Sequence, residues 1–325
     1  MPEPLLEVTD LSVDYATEAR DVRAVDRVSF SLGAGEFLGI VGESGCGKST
    51  LLFSLARLLS PPGEVVAGSV TFRGQDMVQL GSEDLRHVRW RDFSVVMQSA
   101  MNALNPMKSI GAQFKDTLQA HGDSSAEEIR QRSEEVLELV GIDAAHLKSY
   151  PHQLSGGMRQ RAMIAMSLLF SPSLVMMDEP TSALDVVAQR SLMTKIRDLQ
   201  RRLGFAVIFV THDMSVVSRY SDRMMVMYAG QVAEASSTEA IFNRPLHPYT
   251  RGLMDAFPSV RGPRRELAGI PGSPPDLGRP PTGCRFHPRC PEVMPQCPTR
   301  EPELYPVGET RVRCLLYEEQ ARKAV

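Results

Sequence analysis

A chain of 325 residues with 42% hydrophobic content is long enough for one large domain plus an appendage. Its formal net charge of −3 supplies no global basic field for nucleic acid. No apolar run reaches the roughly 18 residues needed to cross a bilayer; the longest candidate, Ala162 to Met177, is broken by Ser171-Pro172-Ser173. The opening Met1-Pro2-Glu3-Pro4-Leu5-Leu6 lacks the basic start and apolar core of a signal peptide, so a cytosolic chain that meets membrane only through partners is expected.

Residues 5 to 42 read as β-rich, with alternation across Val25-Asp26-Arg27-Val28-Ser29-Phe30. The apolar run Phe37 to Val41 predicts a strand. Directly after it, Gly42-Glu43-Ser44-Gly45-Cys46-Gly47-Lys48-Ser49-Thr50 fits the phosphate-binding pattern G-x-x-x-x-G-K-[ST] without mismatch. A helix is expected to follow and to end near Ser60-Pro61-Pro62-Gly63. Successive N–H groups of such a loop form an anion cradle at a helix N-terminus. The glycines are expected to keep Cβ atoms from blocking phosphate oxygens. Lys48 is expected to reach the β- and γ-phosphates, and Ser49 to hold Mg²⁺. Cys46 reads as a small filler in the loop.

A strand over Phe93 to Met97 ends at Gln98, and residues 102 to 170 carry mainly helical patterning, as in Ala126 to Leu139. Leu154-Ser155-Gly156-Gly157-Met158-Arg159-Gln160 reads as a helix N-cap before a helix over Met158 to Phe170, and such an N-terminus is also a phosphate site. A buried strand over 174 to 177 then runs into Asp178-Glu179. Ligands in open α/β sheets bind at that carboxyl edge. Asp178 is placed to hold Mg²⁺ through water, and Glu179 to polarise an attacking water as general base. A helix over Val186 to Leu203 and a strand over 206 to 210 complete an alternation that implies a mostly parallel sheet covered on both faces.

Composition changes after about residue 257: thirteen of the 23 prolines fall between Pro258 and Pro306. Such a segment cannot form long helices or central strands. Yet it holds Cys284, Cys290, Cys297 and Cys314, spaced C-x5-C-x6-C-x16-C. A segment too poor in apolar residues to build a core needs a staple, and in a cytosolic chain metal is favoured over disulfides. Four thiolates suit Zn²⁺ or a [4Fe–4S] cluster, although no C-x-x-C pair marks a standard zinc ribbon.

The ordered set of motifs resembles the ATP-binding cassette (ABC) family over about residues 5 to 250. The resemblance implies an α/β P-loop NTPase (RecA-like) core with a β-rich N-terminal subdomain and a helical subdomain at about 102–170. It makes 5–257 the ATPase domain and 258–325 a Pro-rich, Cys-containing extension. Gln98 matches the Q-loop glutamine that senses Mg²⁺ and water. Ser182-Ala183-Leu184-Asp185 matches the D-loop, His212 the switch histidine, and Tyr15 the aromatic that stacks on adenine. Ser155, Gly156, Gly157 and Gln160 match the signature that serves the nucleotide bound by the opposite subunit, so the chain resembles half of an ATP-sandwich dimer. His247-Pro248-Tyr249-Thr250-Arg251, followed by Gly283 to Pro291, resembles the C-terminal extension of oligopeptide/dipeptide importer ATPases. In several such subunits the four cysteines are implicated in a [4Fe–4S] cluster. The Ser155-to-Arg161 stretch is similar to the first of their two non-identical ATPase subunits.

This resemblance implies ATP and Mg²⁺ as cofactors. It implies a paralogous ATPase subunit, two transmembrane permeases and an extracytoplasmic binding protein as partners, at the cytoplasmic face of the membrane and without nucleic acid. Ser99-Ala100-Met101-Asn102, after Gln98, is similar to relatives that import oligosaccharides, so that cargo stays beside peptides. The rival from another class is a soluble ABC ATPase with a zinc module acting on nucleic acid. Those chains usually carry two cassettes, and this one has a single phosphate loop.

Overall fold

The computed structural model describes residues 3–18, 20–98, 103–122, 125–182, 184–256 and 269–323. In chain order its strands are β1 (Leu6–Tyr15), β2 (Val22–Leu32), β3 (Phe37–Val41), β4 (Gly63–Phe72), β5 (Gln75–Asp76), β6 (Phe93–Val96), β7 (Leu174–Asp178), β8 (Ala206–Thr211), β9 (Arg223–Tyr228), β10 (Gln231–Ser237), β11 (Tyr305–Val307) and β12 (Thr310–Val312). The chain divides into two compact units, one holding residues 1–32, 37–78 and 210–325, the other 33–36 and 79–209.

The first unit contains an antiparallel sheet in the order β2-β1-β4-β5. Its register pairs Val8 with Phe30 and Val70, so alternate apolar side chains of β1 meet apolar partners on both sides. Leu11, Val13, Val25 and Val28 are fully buried. The same unit carries a run of strands in the order β11-β12-β10-β9-β3. β3 and β9 pair in parallel, Ile40 opposite Met225, while β10 pairs antiparallel with both β9 and β12. All five residues of β3 are buried, which explains its unbroken apolar sequence. The phosphate-loop helix, Lys48–Leu55, follows β3.

The proline-rich extension stays within this unit by borrowing an edge. Its only paired strands among the described residues, β11 and β12, are three residues each, and β12 docks on β10 through Glu234 and Ala235. Glu234, fully buried, accepts the N–H groups of Leu246 at 2.7 Å and His247 at 2.9 Å. This fixes the turn into the helix Pro248–Asp255, which His247 caps by accepting the Tyr249 N–H at 3.0 Å. A second anchor is Asp26, on β2. It accepts from Arg285 Nη2 at 2.6 Å and Gln231 Nε2 at 2.8 Å. Burial alone would raise its pKa; the Arg285 guanidinium and the Gln231 amide outweigh this and hold it below the usual carboxylate value.

In the second unit β7 lies between β8 and β6, and β6 and β7 pair in parallel, Val95 opposite Met176. The helical segment comprises Ile110–His121, Ala126–Leu139 and Gly156–Ser167. Ala126–Leu139 starts in a capping box: Ser125 Oγ accepts the Glu128 N–H while Glu128 accepts the Ser125 N–H. Arg132 then closes the end of the Gly156–Ser167 helix, donating to the carbonyls of Leu168 and Leu169 at 2.7 Å each. The expected helix over 186–203 is found with those limits, capped by Asp185 and stopped by Gly204 in the left-handed region.

The Asp26 anchor has a measurable consequence. Asp26→Ala leaves the Arg285 guanidinium, 13% exposed, without its carboxylate. Stability should fall by about 3–5 kcal/mol, read from the chemical-denaturation midpoint. An unchanged midpoint would mean the pair adds nothing to the docking of the extension.

Candidate active site

In the first unit the loop Gly42–Thr50 joins β3 to the Lys48–Leu55 helix. That helix has Gly47 at its N-cap in the left-handed region, no side-chain bond from the cap residue and no acid in its first turn. A helix N-terminus of this kind suits an anion. Lys48, only 5% exposed, donates Nζ to the carbonyls of Gly42 and Glu43 at 2.9 Å each, which bends its ammonium across the loop.

At two of its positions the glycine requirement has a cause besides the one expected. A Cβ on Gly42 would lie 2.2 Å from the Met227 carbonyl oxygen, and one on Gly47 would lie 2.2 Å from that of Ala24. The protein's own backbone already excludes side chains there. Gly45 alone opens onto free space, and its φ of 77° favours glycine. Cys46 is buried and fills the loop base, where burial raises its thiol pKa. Tyr15 is half-buried at the end of β1 with its ring against Gly63. His212 is exposed just beyond β8.

In the second unit β7 ends at Asp178, 2% exposed, and Glu179 follows with φ of 43°. Gln98 Nε2 donates to Glu179 Oε2 at 3.1 Å, so the glutamine after β6 and the acid that follows β7 are in contact. Ser155 is exposed and caps its helix by accepting the Met158 N–H at 3.3 Å. Gly156 and Gly157 occupy the first turn, while the Gln160 side chain is buried. Ala183 and the stretch Ser99–Asn102 lie outside the described residues, as does the expected boundary at about 257.

Sequence reasoning missed the residues that brace the phosphate loop. Glu43 donates its N–H to Tyr249 Oη at 2.9 Å, and its carboxylate accepts from Arg289 Nη1 at 2.7 Å and Nη2 at 2.9 Å. Tyr228, Tyr249 and Phe286 pack ring on ring beneath this contact, with centroids 4.6 to 5.4 Å apart. The available signal was the pair of arginines, Arg285 and Arg289, inside the cysteine segment of a tail that lacks its own core.

The four tail cysteines, expected to share a [4Fe–4S] cluster or Zn²⁺, are all free thiols. Among the described residues no three His, Cys, Asp or Glu side chains form a group that could hold a metal ion. Three of the thiols sit in two small apolar clusters. Cys297 and Cys284 pack with Tyr305, Leu315 and Ala321, and Cys314 packs with Leu246 and Val312. Burial pushes the Cys284 thiol up to about 11 and the Cys314 thiol up to about 12, with the neighbouring thiols adding to the rise. A [4Fe–4S] cluster or Zn²⁺ would need these thiols deprotonated and drawn onto one centre.

Residues 25–182 match the ABC transporter family model, and residues 233–297 match that of the oligopeptide/dipeptide transporter C-terminal region. The chain is 41% identical over 318 residues to the dipeptide transport ATP-binding protein DppD of Caldanaerobacter subterraneus subsp. tengcongensis, covering 97% of this chain and 98% of that one. It is 43% identical over 316 residues to the oligopeptide transport ATP-binding protein OppD of Salmonella typhimurium, covering 95% and 94%. Among solved structures, a dimeric ATP-binding cassette in a post-hydrolysis state with ADP and Pi matches with a TM-score of 0.64 at 27% identity, covering 72% of this chain and 98% of that one. The cassette CbiO1 from Clostridium perfringens matches with a TM-score of 0.65 at 27% identity, covering 74% and 92%. With a preformed phosphate loop, an acid pair at the end of β7 and relatives matched almost end to end, this chain belongs to the ABC transporter ATP-binding subunits of the oligopeptide/dipeptide family.

Proposed function

We propose that the chain is the ATP-hydrolysing subunit of a peptide importer, paired with a paralogous ATPase subunit, two permeases and an extracytoplasmic binding protein, at the cytoplasmic face of the membrane. The observation that carries the reading is the Lys48 ammonium held across a glycine-built loop at an uncapped helix N-terminus. The names of the matched relatives, which speak of dipeptide and oligopeptide transport, favour peptides over oligosaccharides as cargo.

In this reading Gly42 to Thr50 would cradle the phosphates of ATP, Tyr15 would stack on adenine, and Ser49, Gln98 and Asp178 are the residues that would hold Mg²⁺. The ion would neutralise charge on the β- and γ-oxygens. Glu179 is the base that polarises water, turned by the Gln98 amide, and His212 contacts the γ-phosphate. Ser155, Gly156 and Gly157 face the nucleotide of the paralogous subunit. ATP binding then closes the ATPase pair, and hydrolysis reopens it and drives the permeases between inward and outward states. The 258–325 segment is proposed as an extension to the 5–257 ATPase domain.

Glu179→Gln keeps shape but removes the base, so ATP turnover should fall by about 10²-fold or more while ATP binding persists. Lys48→Ala should instead lose ATP affinity. Near-normal hydrolysis by Glu179→Gln, with Lys48→Ala as control, would take Glu179 out of the mechanism.

Assembly generates a second expectation. The isolated chain should be a poor ATPase, activated by the paralogous and membrane subunits. Ser155→Arg should silence the site completed across the ATPase pair without weakening nucleotide binding at Lys48. Equal turnover by the lone chain and the assembled importer would refute this reading.

A metal-binding role for Cys284, Cys290, Cys297 and Cys314 is retained only as a proposal. It is supported by the family resemblance and by the mutual electrostatic influence of these thiols. Binding would require the thiols to draw together and release protons. Anaerobically purified protein should then contain iron, about four per chain, or one zinc. Stoichiometric absence of both metals ends the proposal.

A further inference from the structure

We propose that Arg289 is a positioning residue for the nucleotide, supplied by the C-terminal extension and acting on the phosphate loop through Glu43. This rests on Gly42–Thr50 being the triphosphate site.

Glu43 is the second residue of the loop, and each of its polar groups is engaged. Its N–H donates to Tyr249 Oη at 2.9 Å, its carbonyl accepts from Lys48 Nζ at 2.9 Å, and its carboxylate receives both terminal nitrogens of Arg289. A two-pronged guanidinium–carboxylate pair fixes orientation as well as charge. Arg289 is itself held: its side chain is 6% exposed, Nε donates to the Pro271 carbonyl at 2.8 Å, and its guanidinium lies 5.8 Å from the Tyr228 ring centroid.

The charge argument is direct. A free carboxylate one residue into an anion cradle would repel a triphosphate over a few ångströms. Arg289 pairs that carboxylate and holds it to the extension side of the loop. The Glu43 backbone is at the same time pinned by Tyr249 and Lys48, so fixing its side chain also fixes the carbonyl that steers the Lys48 ammonium.

A parallel tie runs through Arg285, four residues earlier. It donates to Asp26 at 2.6 Å and to the Ala229 carbonyl. The next residue, Gly230, donates its N–H to the Cys46 carbonyl inside the loop at 2.9 Å. Two arginines of one short segment, Cys284 to Cys290, thus reach the loop from the same extension. Only Arg289 meets a charge on the loop itself, which singles it out as the residue that sets nucleotide affinity.

The test is equilibrium binding of a fluorescent ATP analogue to the full-length chain, with thermal melting measured alongside. Arg289→Ala should weaken binding about tenfold, and Arg289→Lys, which keeps the charge but loses the fork, should fall between it and wild type. In a Glu43→Gln background, where the carboxylate charge is gone, Arg289→Ala should cause little further loss. In the assembled importer the Arg289 variants should raise KM for ATP and leave kcat near wild type. A folded Arg289→Ala or Arg289→Lys that binds like wild type overturns the proposal. An undiminished tenfold loss in the Glu43→Gln background does so as well, because the arginine would then act elsewhere. Failure of wild type itself to bind, with Lys48→Ala no different, removes the nucleotide site and the positioning role with it.

Discussion

The phosphate loop is wedged between two backbones, and the first unit is organised around that contact. At Gly42 and Gly47 the chain passes so close to the carbonyls of Met227 and Ala24 that no side chain fits. The loop is therefore closed against the end of β9 on one side and β2 on the other. β9 in turn pairs with β3, which delivers the chain to Gly42, so the strand that launches the loop and the strand that limits it share one ladder. A loop set in this way keeps its donors oriented before ligand arrives, which lowers the ordering cost of binding.

The extension shows how a segment without a core can still be ordered. Its short strands add to the free edge of β10 rather than forming a sheet. Its charges find partners on the cassette: the buried Arg285 with Asp26, the buried Arg289 with Glu43, and the exposed Glu301 with both Arg27 and Gln231. Arg313, desolvated and lowered in pKa, donates to the carbonyls of Val232 at 3.1 Å and Pro302 at 3.2 Å. The Arg285–Asp26 and Arg289–Glu43 pairs cost much to break from one side because the other ion stays largely buried. Polar pairing thus does for this tail part of what apolar burial does for the strands of the cassette.

Much of the fold was legible in the sequence because it rests on local rules. β3 reads as an apolar run, and the helix Val186–Leu203 is bounded by an Asp cap and a Gly stop. The phosphate loop is a spacing rule, and its expected strand and helix flank it. What stayed hidden depends on long-range partners. Asp26 looks like the polar position of an alternating strand, yet it is 5% exposed because Arg285, far along the chain, covers it. Glu43 occupies a variable position of the loop pattern, so nothing local marks it. For the cysteines, spacing suggests a common ligand set, and it does not reveal that Cys284, Cys297 and Cys314 pack in two apolar clusters.

The acid that follows β7 shows how local strain and function meet. Asp178 ends a strand whose five residues are all buried, so its carboxylate is fixed by the sheet. The next residue cannot continue the extended backbone, because Glu179 adopts φ of 43°, a region that costs a non-glycine residue about 1–3 kcal/mol. The strain turns consecutive side chains away from strict alternation, and Gln98 meets Glu179 at 3.1 Å to hold it there. An aspartate fixed by burial beside a glutamate turned by strain and held by an amide gives two carboxylates separate environments within two residues. In the proposed function Asp178 would take the cation and Glu179 the water molecule, the division of labour that phosphoryl transfer to water requires.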